Sequence, residues 1–374
     1  MDLDLSPDQE LFRETTRKFL EAQCPIGRVR ELIEDPVGMD RDAWRQGAEL
    51  GWFSMLVPEE YGGGSVSGVG IRDLAIVAEE LGRVLFPGPV LATGVVAFAI
   101  AEAGTDDQRA QHLPAIATGE TIATWAFSEG NERWDSTAVA LEAVPDGDGW
   151  RLSGVKTPVE YGAVAELLLV TARTPGGLTQ FLVPAESPGV TVAALVGLDL
   201  ARRFSEVSFD GVVVGPDALL GSPGGVERAV ERQLQVAAAL QCAETVGALD
   251  VTFDMTLQYM KDRRAFGRPI GSFQALKHRA ADMLLWLESS KAVAVAAVEA
   301  VQFDVDAGEV VHIAKSYIGE RGPAIIRECL QFHGGIGYTW EHDIHLYLRR
   351  VESNAALYGD TATHRDRLAE LVGL

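Results

Sequence analysis

The spacing of apolar residues changes twice along the chain, and the two changes divide it into three parts. Residues 1–118 carry apolar positions three and four apart, which is the spacing of one helix face, and Ser6-Pro7 has the composition of a helix N-terminus. Between 121 and 215 short runs alternate apolar and polar residues, as β-strands do. From Val226 the helical spacing returns and continues to the C-terminus.

The middle part predicts a small β-barrel or sandwich, because turn residues separate its strand-like runs and no helical stretch lies among them. The runs are TIATWAFSE, GWRLSGVK, ELLLVTAR, GLTQFLVPA, GVTVAAL and SEVSFDGVVVG. We therefore predict an α+β multidomain fold. It comprises an N-terminal α-helical domain (1–118), a middle β domain (119–222) and a C-terminal α-helical domain (223–374).

Composition narrows the function classes. A chain of 374 residues with 47% hydrophobic residues buries more than one simple core, and a net charge of −22 argues against nucleic-acid binding. Three cysteines without metal-type spacing indicate buried thiols in a reducing compartment. No signal peptide is apparent, and the apolar runs at 90–101 and 292–301 are shorter than a membrane span. These features predict a cytoplasmic protein with no membrane span.

Two C-terminal segments carry candidate chemistry. In the first, 329–350, a helix pattern breaks at Gly334-Gly335, where bare backbone N–H groups can approach a bulky ligand, and Gln331 lies on the same helix face. Taken alone, this segment is more typical of a helix C-cap followed by another helix. The second, 259–283, reads YMKDRRAFGRPIGSFQALKHRAADM and contains Arg263, Phe266 and Gln274.

Together the two segments closely resemble the signatures of the acyl-CoA dehydrogenase family, R-x-x-F-G…Q…H…A-D-M followed by Q-x-x-G-G-x-G-Y…E…R. The resemblance extends over nearly the whole chain and implies the three-part fold predicted above. It also implies FAD-dependent dehydrogenation of an acyl-CoA thioester between Cα and Cβ. In that chemistry a carboxylate removes the α-proton, and the electrons pass from the flavin to an electron-transfer flavoprotein or a similar acceptor.

The resemblance also implies that each flavin is shared between two subunits. One subunit holds the flavin ring, and its neighbour supplies contacts to the ADP half. The residues that would supply these cofactor contacts are all present here: Arg263, Phe266, Gln274, Gln331, Gly334 and Gly335, with Thr361 at the start of the last helix.

The segments that hold the flavin ring in the family differ in this chain. The family's loop T-E-P-G-A-G-S-D is replaced by Ser-Glu-Gly-Asn-Glu-Arg-Trp-Asp at 128–135. In the following strand, Pro158 stands where a tryptophan packs on the ring, and Glu160 stands where a threonine bonds N5. We infer that this chain has lost its own flavin-ring site.

The catalytic base is also missing at both positions where the family places it. The turn that usually reads Y-E-G-T is Tyr358-Gly359-Asp360-Thr361, and the alternative position on the long helix is Ala237. Asp360 is the nearest substitute, but it is displaced by one residue, and an N-cap role for the final helix, 361–371, is favoured. Glu160 is a second candidate base, although a glutamate in a surface β-turn is the simpler interpretation.

Three histidines, His278, His333 and His345, are candidate site residues. Glu341, His345 and Arg349 have the i, i+4, i+8 spacing of a metal pair or proton relay, but a solvated helix face is favoured. His333 is predicted to pack at the glycine turn, and His278 to make structural hydrogen bonds. No metal site is predicted.

The family residues that this chain keeps, and those that it lacks, lead to one hypothesis and two alternatives. The chain resembles the glutamate-lacking subunit of actinobacterial α2β2 acyl-CoA dehydrogenases, which implies a glutamate-bearing partner, a shared FAD and a tetramer. The first alternative is a self-sufficient homo-oligomeric flavoenzyme, either a dehydrogenase using Asp360 or a flavin monooxygenase on the same fold. The second is a non-catalytic acyl-CoA-binding or scaffold protein.

Overall fold

The N-terminal part of the chain is helical in the computed structural model, which describes residues 5–130, 134–303 and 307–373. The first helix begins where the sequence predicts, because the Ser6 side chain and Gln9 form a reciprocal capping box behind Pro7. The helices of the N-terminal part are α1 (Pro7–Gln23), α2 (Ile26–Glu34), α3 (Arg41–Glu49), α4 (Gly70–Val84), α5 (Val90–Ala103) and α6 (Asp106–Ala117).

The middle part forms one eight-stranded sheet. Its strands are β1 (Ala123–Ala126), β2 (Glu142–Asp146), β3 (Gly149–Glu160), β4 (Leu167–Thr174), β5 (Gly177–Pro184), β6 (Val190–Leu195), β7 (Phe204–Val214) and β8 (Leu219–Leu220). The strand order is β6-β7-β3-β2-β4-β5-β8, and β1 pairs in parallel with β4. All four residues of β1 are buried, as is usual for a strand that is covered on both faces.

The C-terminal part is helical again. It consists of α7 (Glu227–Asp262), a small hairpin of β9 (Arg264–Ala265) and β10 (Arg268–Pro269), then α8 (Gln274–Phe303), α9 (Gly308–His333), α10 (Ile344–Ala356) and α11 (Thr361–Leu371). The predicted helical–β–helical order and the α+β class are confirmed, whereas the domain boundaries at 118/119 and 222/223 stay predictions.

Two glycines set the spacing between the N-terminal and C-terminal helices. A Cβ atom on Gly82 of α4 would lie 1.9 Å from the carbonyl oxygen of Glu244 in α7. Reciprocally, a Cβ on Gly247 of α7 would lie 1.9 Å from the carbonyl oxygen of Glu79 in α4. The backbones of α4 and α7 therefore touch at a crossing that no larger residue permits.

Helix α7 is long and apolar enough to cross a membrane, but 89% of its most apolar window is buried inside the protein, as in a core helix. Over the described residues no other helix meets the same criteria of length and composition. Cys24, Cys242 and Cys329 are buried free thiols, as the sequence predicts.

Candidate functional site

The hairpin between α7 and α8 holds a phenylalanine out in solvent. Phe266 is 94% exposed and has a positive φ of 54°, and Gly267 beside it has a φ of 79°. An exposed aromatic side chain at a positive φ is uncommon, and such residues are typical of binding surfaces. Arg263, at the C-cap of α7, is also exposed.

The glycine pair at the end of α9 faces open space. Gly334 adopts φ 62° and ψ −142°, a conformation that favours glycine, and its N–H donates to the carbonyl oxygen of Gln331. A Cβ on Gly334 or on Gly335 would meet no atom within 4 Å. The backbone is therefore bare on this side, and the side chain of Gln331 is exposed beside it.

Tyr259 joins these two features. It lies one turn before Arg263 in α7, its ring stacks on His333 at 4.5 Å, and its hydroxyl donates to the carbonyl oxygen of His333 at 3.4 Å. Gln274 begins α8 directly after Phe273, whose ring meets that of Phe266 at 6.2 Å. The structure thus places six predicted residues on one exposed side, which we call the hairpin surface: Arg263, Phe266, Gln274, Gln331, Gly334 and Gly335.

Thr361 does not belong to the hairpin surface. It is the first residue of α11 and lies beside Gly319 of α9, where an added Cβ would come 2.8 Å from the Thr361 hydroxyl. Gly319 precedes His333 by 14 residues of the same helix, a separation of about 21 Å along its axis.

The segment that holds the flavin ring in the family forms a buried ion pair in this chain. Lys156 of β3 is fully buried and donates to the carbonyl oxygen of Phe127 at 2.9 Å and to Glu129 at 2.6 Å. The carboxylate of Glu129 also accepts the N–H groups of Ala140 and Leu141. Burial lowers the pKa of Lys156 to about 8. Residues 131–133 of the predicted loop lie outside the described residues.

An aromatic cluster of Phe127, Trp134 and Tyr358 fills the adjoining space. The indole of Trp134 stacks near Phe127 at 6.1 Å and meets Tyr358 edge to face. The cavity left between this cluster, Pro158 and Glu160 measures about 20 Å³, room for about one water molecule. This space is too small for a tricyclic flavin ring.

Glu160 does not lie in a surface turn, and that interpretation was wrong. It is the last residue of β3, its side chain is only 12% exposed, and it lies 3.7 Å from the guanidinium of Arg202. Burial raises the pKa of Glu160. The long strand β3 continues through the predicted turn because its pairing with β7 extends to Glu160.

A buried charge network surrounds this carboxylate, and no local pattern in the sequence predicts it. Arg202 donates to both oxygens of Glu244, at 2.7 and 2.6 Å, and Arg350 donates to Glu244 at 2.7 Å and also to Asp199. Burial alone would raise the pKa of Glu244, but Arg202 and Arg350 outweigh it and lower that pKa to about 2. The network joins the middle sheet to α7 and α10.

Neither family position for the base carries a carboxylate in this chain. Gly359 has a φ of 101°, and Ala237 is buried in α7. Asp360 caps α11, accepting hydrogen bonds from the backbone N–H of Thr363 at 2.8 Å and from its hydroxyl at 2.7 Å. The predicted N-cap role is confirmed, and these bonds lower the pKa of Asp360.

Of the three expectations for the histidine segments, one is correct and two are wrong. His333 packs at the glycine turn as predicted. His278 is exposed and makes no hydrogen bond within the described chain, so it has no structural hydrogen-bonding role there. Glu341 and His342 precede α10, which begins at Ile344, so the predicted helix face is wrong at its N-terminal end. No group of three metal-ligating side chains occurs among the described residues.

Comparison with protein families confirms the resemblance found in the sequence. Family models described as the N-terminal, middle and C-terminal domains of acyl-CoA dehydrogenase match residues 6–120, 124–212 and 224–373. Acyl-CoA dehydrogenase IpdE2 of Mycolicibacterium smegmatis is 33% identical over 365 residues, covering 97% of this chain and 98% of that protein.

Two of the similar solved structures are those of paired chains. A variant of the Tcur3481–Tcur3483 steroid ACAD superposes with a TM-score of 0.89 at 30% identity, covering 98% of this chain and 97% of the other. The ChsE4–ChsE5 complex from Mycobacterium tuberculosis superposes with a TM-score of 0.91 at 28% identity, covering 100% and 99%.

Proposed function

Because the chain belongs to the acyl-CoA dehydrogenase family, we propose that it is the base-lacking subunit of an α2β2 acyl-CoA dehydrogenase and completes the FAD site of a glutamate-bearing partner. Enzymes of this family are flavoprotein oxidoreductases that act on the CH–CH bond of acyl-CoA thioesters. The subunit role, the partner and the site residues are the proposed part.

The exposed hairpin surface is the observation that carries this proposal. Phe266 is solvent-exposed at a strained backbone position, and the side of Gly334 and Gly335 on which a Cβ would stand faces open space. Neither feature stabilises this chain by itself, and both suit a ligand held from the neighbouring subunit. Arg263 would hold a diphosphate, the open side of the glycine pair would let it approach the backbone, and Phe266 would exclude water from it. When bound, FAD supplies the acceptor for the hydride that leaves Cβ.

The small space beside Glu160 and the missing base support the proposal that a second subunit supplies the flavin-ring site and the base. The aromatic cluster leaves about 20 Å³ where a flavin ring would have to enter, and neither Gly359 nor Ala237 can remove a proton. Asp360 is committed to capping α11. A chain with these properties needs the ring site and the base of another subunit, and Thr361 remains a proposed cofactor contact outside the hairpin surface.

The relatives that are named as pairs of chains support the same assembly. The steroid ACAD Tcur3481–Tcur3483 and the complex ChsE4–ChsE5 each combine two chains, and both resemble this chain over almost its whole length. We propose a dimer of dimers that takes an acyl-CoA thioester and passes electrons to an electron-transfer flavoprotein or a similar acceptor.

The test is an absorbance spectrum of the purified chain, alone and co-expressed with a glutamate-bearing homologue from the same genome. We expect the chain alone to be colourless, and the complex to be yellow and to bleach when acyl-CoA is added. Stoichiometric flavin in the lone chain, bleached by acyl-CoA, would refute the proposal.

A further inference from the structure

The segment that joins α9 to α10 carries the glycine pair at its first two positions. This connecting segment, residues 334–343, opens with one short turn and then bends towards α10. Gly337 is its only buried residue, and its larger apolar side chains are between 49% and 69% exposed: Ile336, Tyr338 and Trp340. Because so little of the segment is packed inside the protein, its position depends on contacts that other elements make with it.

Arg30 of α2 holds the far end of the connecting segment. Its Nε donates to Oδ1 of Asp343 at 2.9 Å, and its guanidinium lies over the indole of Trp340, 5.3 Å from the ring centroid. The side chains of Arg30 and Asp343 are only 21% and 29% exposed, so water and salt screen this pair less than a surface pair. The contact ties the N-terminal helices to the segment that carries the glycine pair.

The carboxylate of Asp343 does not have the role that is usual for its position. Asp343 is the N-cap residue of α10, yet its side chain caps no backbone N–H group of that helix. The aspartates at the N-caps of α3 and α11, Asp40 and Asp360, do accept such N–H groups. At the start of α10 the pair with Arg30 has replaced the cap.

Trp340 is also held from α10. The ring of His345 lies 5.0 Å from the ring of Trp340, and Nε2 of His345 donates to the carbonyl oxygen of Trp340 at 3.4 Å. At the other end of the segment, His333 is fixed by the ring of Tyr259, which stacks on it at 4.5 Å. The glycine pair therefore lies between two fixed points, His333 and Trp340.

We propose that Arg30 is a positioning residue for the cofactor. By holding Trp340 and Asp343 it keeps the glycine pair oriented so that the ADP half of FAD can approach the backbone. A ligand held against backbone groups tolerates little displacement of them, so the hold on the segment affects the affinity. This assignment rests on the proposed function, because it concerns the same glycine pair, and it gives the N-terminal helices a part in cofactor binding.

The first experiment measures amide hydrogen exchange of the connecting segment in the purified full chain without flavin. We expect Arg30→Gln to speed this exchange by about tenfold, because both the ion pair and the contact with the indole are lost. Arg28→Gln is the matched control. Arg28 lies on the same helix and also pairs with carboxylates, but these, Glu31 and Asp40, belong to the N-terminal part. We expect it to leave the exchange of the segment unchanged.

The second experiment titrates the complex with its glutamate-bearing partner, freed of flavin, with FAD and with FMN. Both probes contain the flavin ring, but FMN lacks the adenosine and one of the two phosphates. We expect Arg30→Gln to weaken the binding of FAD by about tenfold and to leave the binding of FMN unchanged, because only FAD reaches the glycine pair. Equal losses for both flavins would indicate a general distortion and would overturn the positioning role.

A second variant breaks the same pair from its other side. Asp343→Asn should weaken FAD binding as Arg30→Gln does, and the double variant should lose little more, because the two residues act through one contact. Fully additive losses would contradict this. Asp343→Asn also replaces Arg30→Gln in both experiments if the latter fails to fold, which the thermal midpoint shows.

The outcomes separate this inference from the proposed function. If the wild-type complex binds no FAD, or if the lone chain binds it stoichiometrically, the proposed function fails. If the wild-type complex binds FAD and the Arg30→Gln complex binds it equally well, only the positioning role of Arg30 is overturned. Unchanged hydrogen exchange of the connecting segment in Arg30→Gln overturns that role without reference to flavin.

Discussion

Trp134 meets Tyr358 edge to face, with ring centroids 5.0 Å apart. The two residues come from distant parts of the chain, the middle domain and the turn before α11. Their contact closes the space next to Glu160, and Arg367 of α11 fixes it by donating to the carbonyl oxygen of Trp134. This contact is the packing feature behind our proposal that the chain has no flavin-ring site of its own.

Removing the indole should reopen that space. We expect Trp134→Gly to destabilise the chain by about 3–5 kcal/mol and to create an apolar cavity that free indole refills. Thermal unfolding with and without indole measures both effects. Trp150→Gly is the matched control, because half-buried Trp150 leaves no enclosed cavity. Equal indole stabilisation of both variants would contradict the closed-site interpretation.

Phe266 should matter to the complex and not to the isolated chain. Because its ring is 94% exposed, we expect Phe266→Ser to leave the thermal midpoint of the lone chain unchanged. In the complex, losing a buried aromatic contact should weaken flavin retention by about tenfold or more. Flavin absorbance after gel filtration measures this, with the exposed Val213→Ser on β7 as control. Full flavin retention in Phe266→Ser would exclude Phe266 from the shared site.

The two glycines of the α9 turn should respond differently to alanine. Gly335→Ala meets no neighbour within 4 Å and has no positive φ, so the lone chain should keep its stability. Gly334→Ala places a Cβ at φ 62° and should cost about 1–3 kcal/mol. In the complex both should lower flavin occupancy, since each adds a methyl group on the bare side. Unchanged occupancy in Gly335→Ala would show that no ligand approaches there.

Asp360 is predicted to stabilise α11 and not to remove protons. Asp360→Ala should cost about 1 kcal/mol of unfolding free energy, and Asp360→Asn, which keeps a capping oxygen, should cost less. Because its pKa is lowered on folding, its stabilisation is present above pH 3.8 and fades as the pH falls through the lowered value. A complex carrying Asp360→Asn should retain its turnover. Loss of turnover in that complex would identify Asp360 as the base.

Glu244 should give the chain an acid-sensitive core. Its pKa is lowered from 4.5 to about 2, so its stabilisation is complete above pH 4.5 and is lost as the pH falls towards 2. Glu244→Gln leaves Arg202 and Arg350 underpaired and should cost about 3–5 kcal/mol at pH 7. Urea unfolding of both proteins across this pH range tests the sign. The difference between them should shrink at acid pH, and a constant difference would contradict the assignment.

The sequence predicts the helix starts correctly where the residues that determine them are close together in the chain. Ser6 and Asp360 form the expected caps because capping depends on residues three positions apart. The sequence does not predict strand β2, because Glu142–Asp146 carries charges and a proline and becomes a strand only through its pairing with β3 and β4.

The buried network could not be predicted because its partners are far apart in the sequence. Arg202 and Glu244 are 42 residues apart, and Arg350 lies 106 residues beyond Glu244. The available signal was Glu244 itself, a lone carboxylate in an apolar stretch of α7, since a charge there needs a buried partner. Glu160 was misplaced for the same reason: the residue that makes its burial tolerable, Arg202, is not adjacent to it in the sequence.

We expect the crossing of Gly82 and Gly247 to make the two helical parts of the chain a single cooperative unit. With backbone against backbone, α4 cannot separate from α7 by small rearrangements of side chains, so we expect the N-terminal helices to have no partly opened state close in energy to the native one. Calorimetry of the lone chain should therefore give one transition for both helical parts, with equal calorimetric and van't Hoff enthalpies.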